Sequence, residues 1–342
     1  MRLEHLFLLN FAASYSEGGY KRLYEYSRWF NQHGGTYFAI HPRCAHLAKE
    51  FPSNRFFVVA QSRLRRLFDD RSYLNKILED IGQPDLYFAY GIPMYGPVGR
   101  INWAHLNNIL TVGTHVAPIS KLHRLKYWYL GRRICRGFAK SDVISAESRF
   151  SLQVIAAAGF GNLFLSKNGA DDEIASLRQG NHAPAENVAT VVGTHNHKAL
   201  RETLVVFQML KQEHQQLKLV VIGDARRVPD VMRHRPDVEI RDALPRPAVI
   251  EFLRRSRYYI STTYVENSCN GASEGVFLAQ TSFITDIPPH AELLAGEQFD
   301  HVTVPGLSRP FLRLERSRLR GLNLESWDTI VNAMVAKANA IP

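Results

Sequence analysis

The stretch VATVVGTHNHKALRETLVVFQMLKQEHQQLKLVVI (residues 188–222) sets two apolar, β-branched runs on either side of a segment with helical spacing. Residues 188–192 and 217–222 read as strands, and 199–212 reads as the helix between them. Alternation of this kind specifies a parallel sheet covered by helices on both faces. Towards the C-terminus it continues with strands at 238–240, 258–261, 282–285 and 301–304 and helices around 247–255 and 275–279. In the other direction, strands are expected at 3–9, 36–40, 56–60, 85–90, 109–113, 142–146 and 163–166. Leu64, Leu67, Phe68, Leu74, Leu78 and Ile81 keep the period of an amphipathic helix. The polar RQGNHAPAENV (178–188), with Gly and Pro, reads as a linker. The expected fold is therefore α/β, with two Rossmann-like, doubly wound domains. Domain bounds of 1–175 and 188–320 are expected around a linker at 176–187, with a helix in 321–342 packing back on the first domain. Two such domains would face each other across a cleft bounded by the carboxyl ends of both sheets, where open α/β sheets bind ligands.

Composition narrows the class. With 45% hydrophobic and 22% charged residues among 342, disordered, collagen-like and coiled-coil chains are excluded. Three cysteines, Cys44, Cys135 and Cys269, are odd in number and far apart, which speaks against a disulfide framework or a zinc site and for a reducing compartment. The opening MRLEHLFLLNF is broken by Glu4, His5 and Asn10, so it reads as a strand rather than a signal segment, and a cytoplasmic location is expected. The net charge of +10 lies entirely in residues 1–150, which hold 21 Lys/Arg against 11 Asp/Glu; residues 151–342 hold 21 of each. Such asymmetry points to an anionic partner for the first half. KLHRLKYWYLGRRICRGFAK (121–140) interleaves seven cations with Tyr127, Trp128 and Tyr129, a composition suited to an anionic membrane surface, although its apolar residues form no single clean face on a helical wheel. SRLRRLFDDR (62–71) adds to the same charge. Nucleic acid is not an expected partner, since no helix-turn-helix, RRM or zinc-finger signature is present.

The strongest local signal for chemistry is YVENSCNGASEGVF (264–277), just after a strand. Glu266 and Glu274 stand with seven residues between them, and Asn267, Ser268, Asn270, Gly271, Ala272 and Ser273 among those seven are small or turn-prone. A loop of this kind lets backbone N–H groups approach a ligand, and its two carboxylates can accept hydrogen bonds from sugar hydroxyls. The same spacing also suits a helix-capping carboxylate with a solvated glutamate upstream. Asp69–Asp70 and Asp171–Asp172 read as turn or helix-end residues, and His195 with His197 as phosphate or water contacts rather than metal ligands.

In context, YYISTTYVENSCNGASEGVFLAQTSFITDIPPHAELL (258–294) resembles the nucleotide-sugar segment of family-four glycosyltransferases of the GT-B fold: two glutamates at this separation, a helix, a short strand and a Pro-containing turn. The resemblance extends along most of the chain. Gly18–Gly19 stand where the family has its glycine-rich loop, and His115 ends ILTVGTH as a histidine does in many members. KSDVISAE (140–147), SKNGADDE (166–173) and VVGTHNHKAL (191–200) follow in the family's order.

Carried over, the resemblance implies that Glu274 binds the ribose, Glu266 the hydroxyls of the transferred sugar, and the backbone at Asn270 and Gly271 the same sugar. It further implies that Lys198 neutralises the departing diphosphate, that Gly18 and Gly19 approach phosphate or acceptor, and that His115 contacts the sugar near its reacting carbon. Gly193 and Thr194 would belong to the donor-binding loop. Thr194 stands where the family usually has an arginine, the loop is one residue shorter, and Arg226 and Arg227 are candidates to substitute. The implied activity is retaining sugar transfer from a nucleotide-sugar, with no metal or other cofactor, to a glycan or lipid-linked glycan. The implied setting is surface-polysaccharide synthesis (O-antigen, capsule or lipopolysaccharide) at the inner face of the membrane. The alternatives are a nucleotide-sugar epimerase of the same fold and a non-catalytic GT-B-like or anionic-polymer-binding subunit.

Overall fold

A computed structural model describes residues 6–15, 17–59, 72–94, 96–113, 120–170, 174, 185–242, 244–319 and 325–341. The chain divides into two compact units, Met1–Gly169 with Glu325–Pro342, and Ala170–Leu324.

The first unit is built on strands β1 (Phe7–Phe11), β2 (Tyr37–Ile40), β3 (Arg55–Val58), β4 (Leu86–Tyr90), β5 (Ile101–Leu106), β6 (Val143–Ala146) and β7 (Leu163–Leu165). Its helices are α1 (Glu17–Gln32), α2 (Leu47–Glu50), α3 (Ser72–Ile81), α4 (Lys121–Phe138) and α5 (Arg149–Ala157). All strand pairs are parallel and the order is β3-β2-β1-β4-β5-β6-β7, the doubly wound arrangement. Leu8 lies opposite Tyr37 on one side and Tyr87 on the other. Asn10, inside a fully buried strand, is satisfied by donating to the hydroxyls of Tyr73 and Tyr87, at 2.8 Å each.

The second unit contains β8 (Glu186–Val192), β9 (Lys218–Ile222), β10 (Val238–Arg241), β11 (Ser256–Ser261), β12 (Thr281–Thr285), β13 (Asp300–Thr303) and β14 (Pro310–Glu315). Helices α6 (Leu200–Glu213), α7 (Asp230–Arg233), α8 (Arg246–Arg255), α9 (Asn270–Leu278) and α10 (Pro288–Leu293) pack on it. The order β10-β9-β8-β11-β12-β14-β13 repeats the winding of the first sheet, with β14 and β13 antiparallel.

The last helix, α11 (Trp327–Asn339), inserts Trp327, Val331, Met334 and Val335 into the core of the first unit. There it meets the fully buried Arg22 of α1, whose guanidinium lies over the Trp327 ring. Arg22 donates to the hydroxyls of Tyr26 and Ser166, to the carbonyls of Ser166 and Lys167 and to Asn168 Oδ1, all within 3.0 Å. Its charge faces Glu147 at 3.7 Å, and Glu147 accepts from the Tyr90 hydroxyl and lies 3.5 Å from His105 Nε2. Burial, and then Arg22, push the His105 pKa down to about 4.

Several expectations need correction. Ile109–Thr111 is a short 3-10 turn, not a strand: Asn108 Oδ1 accepts from Leu110 N, and the Asn108 carbonyl accepts from the Thr111 hydroxyl. The strand is INWAHL, whose Asn102, Trp103 and His105 hide a buried run. Trp103 Nε1 and His105 Nδ1 both bond to Ser145 Oγ on the neighbouring strand. Gly18 and Gly19 are not a loop; they lie in the first turn of α1, and a Cβ at Gly19 would stand 3.2 Å from Ser14. Among the described residues the first strand spans Phe7–Phe11, running past the expected end at 9, β8 starts within the expected linker, and β14 lies outside the expected set. Asp69, Asp70, Asp171, Asp172, all of 62–71 and most of 176–187 fall outside the described residues.

Arg22→Met is expected to cost about 3–5 kcal/mol, because it removes the donor from five acceptors, two of them backbone carbonyls, and leaves Glu147 without its cation. Urea unfolding should show this as a lower midpoint, and adding Glu147→Gln should recover part of it.

Candidate functional site

In the second unit β8 and β11 are the neighbours at which the winding reverses, so the loops leaving their carboxyl ends stand side by side. Open α/β sheets bind ligands at such a point. Thr262 and Thr263, which follow β11, tie these loops together. The Thr262 hydroxyl donates to the Lys198 carbonyl at 2.8 Å and lies 3.1 Å from that of Ala199, while Thr263 bonds to the carbonyls of His197 and Val265. Tyr264 N donates to His197 O at 2.8 Å. From the next strand, the Thr285 hydroxyl donates to Thr263 O at 2.8 Å. Arg309 donates to the carbonyls of Thr262 and Thr263 at 3.0 Å, pairs with Glu202, and stacks on Tyr264 with its guanidinium carbon 3.9 Å from the ring centroid.

This framework brings Lys198 and Glu266 together as an ion pair, each side chain about one-sixth exposed. Burial opposes the charge on Glu266, but Lys198, with help from His197, outweighs it and holds the carboxyl below its usual range. Gly193, at φ +93°, leaves room for the lysine stem, since a Cβ there would stand 3.3 Å from Lys198 Cε. Ala199 adopts left-handed φ 49°, a conformation that costs a non-glycine residue roughly 1–2 kcal/mol. Its carbonyl bonds to Glu202 N and lies within reach of the Thr262 hydroxyl.

Glu274 lies one turn into α9, buried at 6% exposure, and Arg246 at the start of α8 clasps its two oxygens at 2.5 and 2.6 Å. Between the two glutamates runs Tyr259, whose phenol is pushed well above its ordinary pKa, first by burial and then by Glu266 and Glu274. The helix passes directly over this ring. A Cβ on Gly275 would come within 2.3 Å of it, while Gly271 sits above its hydroxyl, and Asn270 is the first residue of α9.

Thr194 is buried against Gly223, which accounts for a small side chain where the resemblance places arginine. Of the two candidate substitutes, Arg227 reaches this loop, bonding to His195 Nδ1. Arg226 is 89% exposed and turned to Asp224, which accepts from it at 2.9 Å. The rings of His195 and His197 stack. His115 lies outside the described residues, and Gly18 and Gly19 belong to the other unit.

Two residues at this site escape sequence reasoning. Arg246 is sequence-distant from Glu274 and becomes its partner only through helix packing. His290, after Pro288–Pro289, is fully buried. Its Nδ1 donates to the Thr285 carbonyl at 2.7 Å. Burial pushes its pKa down to about 4, so the ring is neutral and Nε2 is a bare acceptor, buried without a hydrogen-bond partner. The Pro-Pro-His run after a buried strand was the available signal.

No known protein-family profile matches the chain, and no curated protein matches it in sequence. Solved structures match over most of its length. Burkholderia multivorans alpha,alpha-trehalose 6-phosphate synthase aligns with TM-score 0.56 and 10% identity over 100% of this chain and 92% of that one. Anabaena HepE, in complex with UDP and glucose, aligns with TM-score 0.54 and 15% identity over 80% of this chain and 78% of that one. The fold is GT-B. The N-terminal domain of Candida albicans trehalose-6-phosphate phosphatase also aligns, with TM-score 0.54 and 11% identity over 81% and 80%. At these identities the likeness to GT-B structures is one of fold.

Two neutral buried histidines make stability fall in acid. Between about pH 6.5 and pH 4 the unfolded chain takes up protons that folded His105 and His290 refuse. Stability therefore declines as pH drops through that window, with a slope approaching ~1.4 kcal/mol per pH unit for each histidine. Urea midpoints across the window should follow this slope, and His290→Asn should flatten it.

Proposed function

We propose that this chain is a retaining, metal-independent glycosyltransferase. It moves a sugar from a nucleotide-sugar donor to a glycan or lipid-linked glycan acceptor, in surface-polysaccharide (O-antigen, capsule or lipopolysaccharide) synthesis on the cytoplasmic side. The observation that carries this reading is the Lys198–Glu266 pair, set with Glu274 around a glycine-bearing helix start at the switch point of the second sheet. The similarity in fold to HepE, whose structure holds UDP and glucose, supports a nucleotide-sugar as donor.

In this reading Glu274, oriented by Arg246, accepts from the ribose hydroxyls through lone pairs the guanidinium leaves unused. Glu266, kept ionised by Lys198, accepts from hydroxyls of the transferred sugar. His290 Nε2, buried and lacking a donor, takes a further hydroxyl of that sugar. Gly193 and the backbone at Asn270 and Gly271 allow close approach. Lys198, with Arg227 at the rim in place of the missing loop arginine, stabilises the departing diphosphate. The bond from the anomeric carbon to the diphosphate oxygen breaks, the acceptor oxygen bonds to that carbon on the same face, and the acceptor proton passes to the leaving diphosphate. The protein contributes position and charge.

Lys198→Met should lower kcat by ~10²–10³-fold, the loss typical of one donor to a developing anion. Because that variant leaves Glu266 uncompensated, Lys198→Met with Glu266→Gln should restore stability but not activity. A thermal-shift panel should show UDP or a related nucleotide, at about 100 times its Kd, adding ~2.7 kcal/mol. Glu274→Gln should weaken that shift, and EDTA should leave the transfer rate unchanged. Conversion of the donor sugar's configuration without any acceptor would assign an epimerase and overturn this reading.

A further inference from the structure

Among the described residues, helix α4 (Lys121–Phe138) is anchored by one face. Gly131 lies so close to Thr111 that a Cβ would stand 1.9 Å from its carbonyl oxygen, Gly137 meets the Met94 backbone, and Phe138 is 4% exposed. Tyr127, Leu130 and Ile134 complete that face and are partly covered. At 100° per residue, Leu122, Leu125, Tyr129, Arg132 and Arg136 fall on the opposite side, in one seam with steps of three and four. Trp128 borders the seam. Leu122 is 77% exposed, Leu125 62%, Trp128 51% and Tyr129 43%. Among the described residues only Val58 and Val231 are other large apolar side chains so exposed.

The exposed surface of the helix is also strongly cationic. Lys121, Arg124, Lys126, Arg132 and Arg136 are exposed, and no Asp or Glu occurs in the helix. The Arg132 guanidinium lies 4.8 Å from the Trp128 ring centroid and that of Arg133 5.8 Å from the Tyr129 ring. An apolar half-seam that runs on into cations stacked on aromatic rings matches the boundary between acyl chains and anionic headgroups. A nucleic acid would take the cations but leave Leu122 and Leu125 in water. Among the described residues no helix is long and apolar enough to cross a membrane, so the contact this helix offers is interfacial.

We propose that α4 docks the protein on an anionic lipid bilayer, with Leu122, Leu125, Trp128 and Tyr129 entering the headgroup boundary and the surrounding Lys and Arg residues meeting the lipid phosphates. This surface stands apart from the donor-site reading and holds or fails without it.

The molecule carries its own probe. Of its four tryptophans, Trp29, Trp103 and Trp327 are at most 2% exposed, so a change in emission on binding reports Trp128. The full chain is mixed with vesicles of phosphatidylcholine alone or with phosphatidylglycerol added, and co-sedimentation and emission maximum are read at low and high salt. Expected are recovery with the anionic vesicles only, a blue shift on binding, and partial release by salt. Trp128→Phe should still bind but lose the blue shift. The exposed pair Leu122→Ser with Leu125→Ser should weaken binding by about tenfold or more, with thermal unfolding unchanged. Equal recovery with neutral and anionic vesicles would overturn the proposal. So would binding that is indifferent to the two leucines and is abolished equally by competing DNA or heparin, which would assign the surface to a soluble polyanion.

Discussion

Two threonines after β11 hold the candidate site in register. Thr262 and Thr263 sit below the surface, where a lone hydroxyl or carbonyl is costly, and apart from a local bond to the Val265 carbonyl their bonds reach other segments: the carbonyls of 197–199, Thr203, Thr285 and Arg309. Because those partners come from the ends of three strands and the start of a fourth, displacing one loop would break bonds in the others. Lys198 and Glu266 meet because the backbone on either side of them is fixed, and the left-handed turn at Ala199 persists for the same reason.

The two units treat buried charge differently. In the second, Lys198 and Glu266 remain slightly open to solvent, so their charges are partly screened and available to a ligand that offers better partners. In the first, Arg22 has no exposure, and four of its hydrogen bonds stitch α1 to residues 166–168 beneath α11, with a fifth to Tyr26 within α1. A buried guanidinium is tolerated only when its donors are nearly all used, and such saturation serves architecture better than binding. The neutral histidines follow the same logic. His105 bonds to Ser145 and His290 to the Thr285 carbonyl through Nδ1, and each keeps a buried Nε2 without a hydrogen-bond partner.

Charge placement divides the molecule as well. The formal excess of +10 belongs to residues 1–150, and much of it lies on one helix that shows apolar side chains to solvent. Surface leucines and a tryptophan lose free energy in water unless something covers them, at roughly 25 cal/mol per Å². Gly131 and Gly137 let this helix lie close to its own unit on one side, while Leu122, Leu125, Trp128 and Tyr129 on the other stay exposed.

By itself the sequence determined the parallel α/β class, because β-branched runs alternating with helical periods close in few other ways. It also marked the Glu266–Glu274 segment, since a turn-rich loop between two carboxylates is a local feature, whereas Lys198 was singled out only through the family resemblance. Where polar residues interrupt a buried strand, as Asn102 and His105 do in β5, periodicity failed, and the neighbouring apolar run 109–113 was read as strand in its place. Helix periodicity on α4 gave no clean face from the sequence because its buried side includes two glycines beside the half-covered Tyr127, Leu130 and Ile134, whose role depends on what they touch. Only the tertiary structure decided that Arg246 clasps Glu274, that Arg227 rather than Arg226 turns to the loop after β8, and that His290 lies beside the ion pair. Those are contacts between segments far apart in the chain, set by strand order and helix packing, and no local pattern of residues carries that information.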